Sequence, residues 1–159
     1  MKQKRLALWL KCIIVGTGVC GAAVYFYLLP FWGGKIAAAS PGLAHCYWPW
    51  QLFLWLTAVP CCAVLLLGWR IAADVGRDAF FSKPNARRFR KVALWTLGDT
   101  AFFFLGNLLL LAIGYSHPGV AFLACLIVFA GIAVAVASLL SSHLVYKAAR
   151  LREENELTI

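Results

Sequence analysis

The chain of 159 residues is 63% hydrophobic and 13% charged, with a mean hydropathy of +0.81 and a formal net charge of +9. Its apolar share lies well above that of an ordinary soluble domain, so composition excludes a water-solvated globular protein. Apolar stretches of membrane-spanning length use up most of the chain, which leaves no room for a separate soluble domain.

Four stretches meet the requirement of about 20 mainly apolar residues for a membrane helix. The first runs over 6–29, behind Lys2, Lys4 and Arg5. Small residues at Ala37-Ala38-Ala39-Ser40 invite a signal-peptide reading, but the apolar run exceeds a signal core of roughly 7–15 residues and Pro30 to Lys35 separate it from that site. Val19 stands before Cys20 where a lipoprotein signal needs a small residue, so the helix is expected to be retained. The connection from Pro30 to Tyr47 holds Gly33, Gly34, Pro41 and Gly42 without helical or strand period, and is expected to be short and irregular.

The second span covers 48–69 and contains Pro60, which has no N–H for the Leu56 carbonyl. A kink is expected there, with the Thr57 hydroxyl satisfying part of the freed backbone. A basic loop follows over 70–91, then the third span over 92–113. Gly114-Tyr115-Ser116-His117-Pro118 is so short that the third span and the fourth, over 119–145, must be antiparallel neighbours, with Pro118 suited to a first helical position. The tail occupies 146–159.

Lys and Arg fall on alternate connections. Lys2, Lys4 and Arg5, then Arg70, Arg77, Lys83, Arg87, Arg88, Arg90 and Lys91, then Lys147, Arg150 and Arg152 lie on one side, against Lys35 alone on the other. Retention of basic residues in the cytoplasm places both termini and the basic loop there. Trp32, Tyr47, Trp48, Trp50 and Tyr115 fall at the expected outer interface and Trp9, Trp69 and Trp95 at the inner one, where amphipathic rings settle. The positive charge is accounted for by topology and by anionic lipid headgroups. Direct nucleic-acid binding is not expected, since no recognition helix, RNP motif or finger accompanies it.

Small residues at Gly16, Thr17, Cys20 and Gly21 on the first helix, and at Ala133, Ala137 and Ser141 on the fourth, recur at one-turn spacing and would let helices approach closely. The expected fold is all-α: a polytopic membrane protein forming a compact bundle of four transmembrane helices, with the option of homo-oligomers left open.

Of the six cysteines, Cys12, Cys20, Cys61, Cys62 and Cys125 fall within spans, where packing is the default role, and only Cys46 faces outward. There is no CxxC, and the adjacent Cys61-Cys62 is poorly placed for a disulfide. His45, Cys46 and His117 share the outer side but lack metal-ligand spacing, so no metal is expected. His143 is read as an interfacial residue.

Two ionisable residues lie inside the bilayer. Asp99 is seven residues past Val92, about 10 Å along a helix, and a bare carboxylate at that depth must be protonated, paired or wetted. Lys11 enters from the same side to similar depth, so an Asp99–Lys11 pair is expected, preferred to an ion path. The bland alternatives are a snorkelling Lys11 and an Asp99 bonded to Thr96, Thr100 or water. Asn107 is read as interhelical glue.

The loop Phe80-Phe81-Ser82-Lys83-Pro84-Asn85-Ala86-Arg87-Arg88-Phe89-Arg90-Lys91 reads as an interfacial elbow. Ser82 is placed to cap a helix that tolerates Pro84 in its first turn and continues into the third span. Arg87, Arg88, Arg90 and Lys91 then ring the membrane entrance, as contacts for lipid or a partner. The tail Glu153-Glu154-Asn155-Glu156-Leu157-Thr158-Ile159 joins acid to an apolar end, and Arg150 with Glu154 and Arg152 with Glu156 have the i,i+4 spacing that prolongs a helix.

At these two places the chain resembles a known family. Gly76, Phe81-Ser82, Asn85-Ala86, Arg88-Phe89 and Glu153 to Ile159 are similar to the small bacterial four-helix membrane proteins grouped as domain of unknown function twenty-nine seventy-five. The chain departs from the family pattern at Lys83-Pro84, where acids are frequent, and at Glu156, where Asp is usual. The resemblance implies a bacterial cytoplasmic-membrane protein with no catalytic residues. It also implies a small helix-turn-helix regulator, commonly encoded beside such proteins, as partner.

A non-enzymatic regulatory or scaffold protein is thus expected, with Glu153, Glu154, Glu156, Leu157 and Ile159 joining the arginines as partner contacts and with no cofactor. The competing class is a small proton- or ion-coupled transporter or channel using Asp99. An enzyme is not expected, because no paired carboxylates, metal motif, phosphate loop or nucleophile constellation appears.

Overall fold

The computed structural model describes residues 2–39 and 41–156. Helix α1 covers Lys2–Ala23 and passes through a π-helical turn, Val24–Leu28, into α2, Leu29–Ala39. A 3-10 turn at Pro41–Cys46 leads to α3, Tyr47–Gly76, followed by α4, Lys83–Ala112, and α5, Pro118–Glu156. Among the described residues, four helices are long and apolar enough to cross a membrane, over 37, 33, 30 and 38 residues. All exceed the roughly 20 residues a bilayer core demands, so each carries turns beyond the hydrocarbon.

The connection after the first span is helical, not irregular. Pro30 falls in the first turn of α2, where a missing N–H is tolerated, and Ala37-Ala38-Ala39 are strong helix formers. The π turn absorbs the proline. Leu29 N–H bonds to the Val24 carbonyl, five residues back, so the next donor in that register would be the nitrogen of Pro30. Within the basic region, α3 runs to Gly76 and α4 starts at Lys83, leaving 77–82 as the non-helical connection.

Both remaining turns have identifiable chemistry. Asp78 takes the left-handed conformation, φ 59°, past the end of α3, where an acidic side chain is better tolerated than a branched one. Gly114, φ 77°, does the same past α4, and Tyr115 N–H closes the end by bonding the Leu110 carbonyl at 2.8 Å. His117 then caps α5: its Nδ1 accepts from Gly119 N–H at 3.1 Å.

The packing differs from a compact bundle. Among the described residues α1 packs on α3, α3 on α4 and α4 on α5, while α1 meets neither α4 nor α5. The helices form an open series of neighbours. The expected stripe explains the error: Gly16, Thr17 and Cys20 of α1 and Ala133 and Ala137 of α5 are exposed, and only Gly21 and Ser141 are partly covered. On α5 the buried or partly covered positions include Ala124, Val128, Gly131, Ala135, Ser138, Ser142, Val145 and Ala149, which alternate in steps of four and three and mark a coiled-coil-like seam. Ala86, Ala93, Thr100 and Asn107 recur every seven residues on α4, and Ser142 donates to the Ala86 carbonyl at 2.7 Å across that seam. On the other side, Gly68 takes the Ile14 side chain and Gly76 takes Ala7.

Pro60 lies within α3 without ending it. The Thr57 hydroxyl bonds the Leu54 carbonyl at 2.7 Å, three residues back, and not the Leu56 carbonyl that Pro60 leaves free.

Candidate functional site

The basic end is assembled by pairs far apart in the chain. Gln3 Nε2 donates to Asp78 Oδ1 at 2.8 Å, and Lys83 Nζ meets Glu153 Oε2 at 2.6 Å. These pairs bring the start of α1, the 77–82 connection and the end of α5 to one end of the helix array. Absolute sidedness is a separate matter, which the lysine and arginine bias addresses.

Asn85 organises the elbow. It has no exposed surface, and its amide donates to the carbonyls of Ala79 and Phe80 at 3.2 Å each, the second of which also accepts from Ser82 N–H at 3.0 Å. Its Oδ1 accepts from Arg88 Nη1, which also pairs with Asp74 Oδ2. Ser82 occupies the cap position of α4 in extended conformation, but its side chain makes no cap bond; its carbonyl accepts from Ala86 N–H at 3.1 Å.

This corrects the expected ring of arginines. Arg88 turns inward to lock α4 onto the end of α3, while Arg87, Arg90 and Lys91 remain exposed. Lys83, absent from the expected contact surface, ties the elbow to the tail. Arg150 Nε pairs with Glu154 Oε1 at 2.8 Å, and this bond with the nearby carboxylate pushes the guanidinium pKa up. The side chain of Glu156, and Leu157 and Ile159 entirely, lie outside the described residues.

Within the span, the expected Lys11–Asp99 pair is not formed. Lys11 Nζ sits 5.0 Å from the centroid of the Trp69 ring, a cation–π contact near the basic end. Asp99 lies on α4, which α1 does not meet, and its Oδ2 accepts a long bond from Cys61 Sγ at 3.8 Å. Its Oδ1 is buried without a partner among the described residues. One turn before Cys61 on α3, the Thr57 hydroxyl shares a 2.8 Å bond with Tyr25 Oη. Tyr25, Thr57, Cys61 and Asp99 thus form an intramembrane polar strip across the π turn, α3 and α4 that sequence reasoning missed. The i,i+4 spacing of Thr57 and Cys61 was its one signal. Asn107 is buried, as a glue residue should be, but its amide bonds the Phe103 carbonyl of its own helix at 2.8 Å.

At the turn end, Cys46 is 5% exposed with Sγ 3.3 Å from His45 Nε2, so it does not present an open thiol. His117 Nδ1 is occupied by its cap bond. Among the described residues no group of three or more His, Cys, Asp and Glu side chains could hold a metal.

Comparison with known proteins agrees with the membrane reading. The chain is 23% identical over 154 residues to a protein of Bacillus subtilis (strain 168) described as uncharacterized membrane protein YoaS, with 96% of each chain covered. No solved structure matches it at a significant level. Residues 31–159 match the family described as protein of unknown function (DUF2975). With four apolar helices of spanning length, a full-length membrane relative and a family match over most of its residues, this multi-pass membrane protein belongs to the DUF2975 family.

Proposed function

We propose that this chain is a non-enzymatic regulatory or scaffold protein of the bacterial cytoplasmic membrane. Its elbow and tail hold a small helix-turn-helix regulator on the cytoplasmic side. The observation that carries this reading is the Lys83–Glu153 pair, which makes one surface from two segments 70 positions apart. Around it stand exposed charges of both signs, Arg87, Arg90 and Lys91 from the elbow and Glu153 and Glu154 from the tail. Mixed charge of this kind orients a partner and favours specificity more than raw affinity, as a switchable complex requires. An apolar groove of about 680 Å³ at the same end, lined in part by Leu6, Phe80, Phe81 and Phe89, offers an anchor point. The test is deletion of residues 153–159, with membrane insertion and retention of the proposed helix-turn-helix regulator both measured. Docking requires unchanged insertion and lost retention; full retention by the truncated chain would refute it.

A second reading rests on Asp99, whose unpartnered Oδ1 is a polar group to be explained within a span. A proton- or ion-coupled transporter would move its ion in liposomes, and Asp99→Asn would abolish that flux. Absence of flux from the purified protein would remove this reading.

A further inference from the structure

At the turn end, α2, the start of α3 and the α4–α5 turn line a half-open cavity of about 460 Å³, within the range of roughly 300–1,000 Å³ usual for small-molecule sites. Its walls are mainly apolar and aromatic, with Trp32, Ile36, Tyr47, Trp50 and Leu54 among them. The frame is held in place. A Cβ on Gly33 would come within 2.9 Å of the Tyr47 ring, so α2 sits as close to α3 as a glycine permits. Trp50 Nε1 donates to the Tyr115 carbonyl at 2.7 Å and fixes the turn against α3.

Among the described residues, two polar groups in this cavity lack partners. Gln51 lines it and is 3% exposed, yet its Nε2 has no hydrogen-bond acceptor among the described residues. Ser116 also lines it, and its buried Oγ is likewise unsatisfied. Native interiors rarely leave a buried amide donor unmade, because its hydration is lost and nothing replaces it. Both groups are neutral donors, and among the described residues no carboxylate lines the cavity. The nearest described charge on α2 is Lys35, stacked 4.3 Å over Phe31 and 6.0 Å from Trp32, which disfavours a cationic guest.

We propose that this cavity binds a neutral fatty-acyl ester or amide, with its carbonyl oxygen accepting from Gln51 Nε2, its second heteroatom beside Ser116 Oγ, and its acyl chain against the aromatic walls. The chemistry is shared by the ester region of a bilayer phospholipid and by a free acyl amphiphile. The cytoplasmic docking surface lies at the opposite end of the helices, so this site stands or falls independently of it.

The test uses the full chain in nanodiscs and a photoactivatable acyl ester, set against its ether analogue, which lacks the carbonyl. One arm presents the probe as a diacyl phospholipid within the bilayer, the other as a short monoacyl ester added from solution. Crosslinks are mapped to the peptides containing residues 32–54 and 114–117, with α1 peptides as the measure of general lipid contact. Ester labelling of the cavity peptides should exceed ether labelling about tenfold, the scale of one lost hydrogen bond to a buried donor. Gln51→Leu should lower ester labelling to the ether level and leave the α1 peptides unchanged. Because Gln51→Leu removes an unsatisfied buried amide, the empty protein should unfold at the same or a higher temperature in detergent. The arm that labels the cavity identifies the source. Equal ester and ether labelling in wild type, a comparison that needs no variant, would overturn the proposal, as would cavity labelling in neither arm.

Discussion

The indole N–H of Trp55 on α3 donates to the backbone carbonyl of Tyr25 at 3.2 Å. That carbonyl sits in the π turn, where its donor in register would be Pro30, which has none. A side chain from the neighbouring helix thus completes the hydrogen bonding that the proline interrupts, as a membrane interior demands.

Removing this bond by Trp55→Phe should lower stability by about 0.5–1.5 kcal/mol, the usual worth of an interhelical bond in a membrane protein. In a Pro30→Ala background the restored backbone N–H makes the indole redundant, so the loss from Trp55→Phe should be smaller. Thermal unfolding in detergent across the four variants measures that coupling. Strictly additive losses would show the two to be independent.

Asn85 is a second point on which the fold depends, since two carbonyls and Arg88 rely on it. Asn85→Ala should cost about 1–3 kcal/mol, since the Ala79 carbonyl loses the amide donor and the Phe80 carbonyl is left with the Ser82 N–H alone. Arg88→Met and Asp74→Asn should each be damaging but not additive, because each breaks the same pair. A double variant as unstable as the sum of the singles would contradict the inward placement of Arg88.

Two close approaches should show as glycine requirements. A Cβ on Gly106 would collide with the Phe53 ring, and one on Gly131 would collide with Thr100. Gly106→Ala and Gly131→Ala should each destabilise by about 1–3 kcal/mol, the scale of overpacking. Phe53→Leu and Thr100→Ala should respectively recover part of each loss in the same unfolding measurement. Neutral glycine variants would mean looser seams than the structure has.

The parts legible in the sequence were those set by composition and local chemistry. Twenty-residue apolar runs marked the four spans, and the five-residue turn at Gly114 to Pro118 marked the α4–α5 hairpin, because neither depends on distant partners. Rotational placement was not legible. The stripe at Ala133 and Ala137 and the seam at Gly131 and Ala135 lie on nearly opposite faces of one helix, and a helix rich in small residues offers both patterns. Depth alone likewise suggested the Lys11–Asp99 pair, but pairing needs adjacent helices, and α1 and α4 are separated by α3. The inward turn of Arg88 depended on Asp74, fourteen positions earlier and across a turn whose geometry rests on a buried Asn85.

Topology gives a further prediction. In a Cys46→Ser background, Ala44→Cys, at an exposed position, should react from outside intact cells with a membrane-impermeant thiol reagent. Cys46 in the unaltered chain should react more slowly than Ala44→Cys, because it is buried beside His45. Labelling of Ala44→Cys only after the cells are opened would invert the orientation.

The proposed docking surface rests on Lys83 and Glu153 holding elbow and tail together, and charge exchange tests it most directly. With the proposed helix-turn-helix partner co-expressed, its retention on purified membranes is measured for Lys83→Glu, for Glu153→Lys and for the two combined. The expected result is loss of retention in each single variant, where like charges part the segments, and recovery in the double variant, where the pair is re-formed with its signs exchanged. Retention unaffected by either single change would contradict a surface built from both segments.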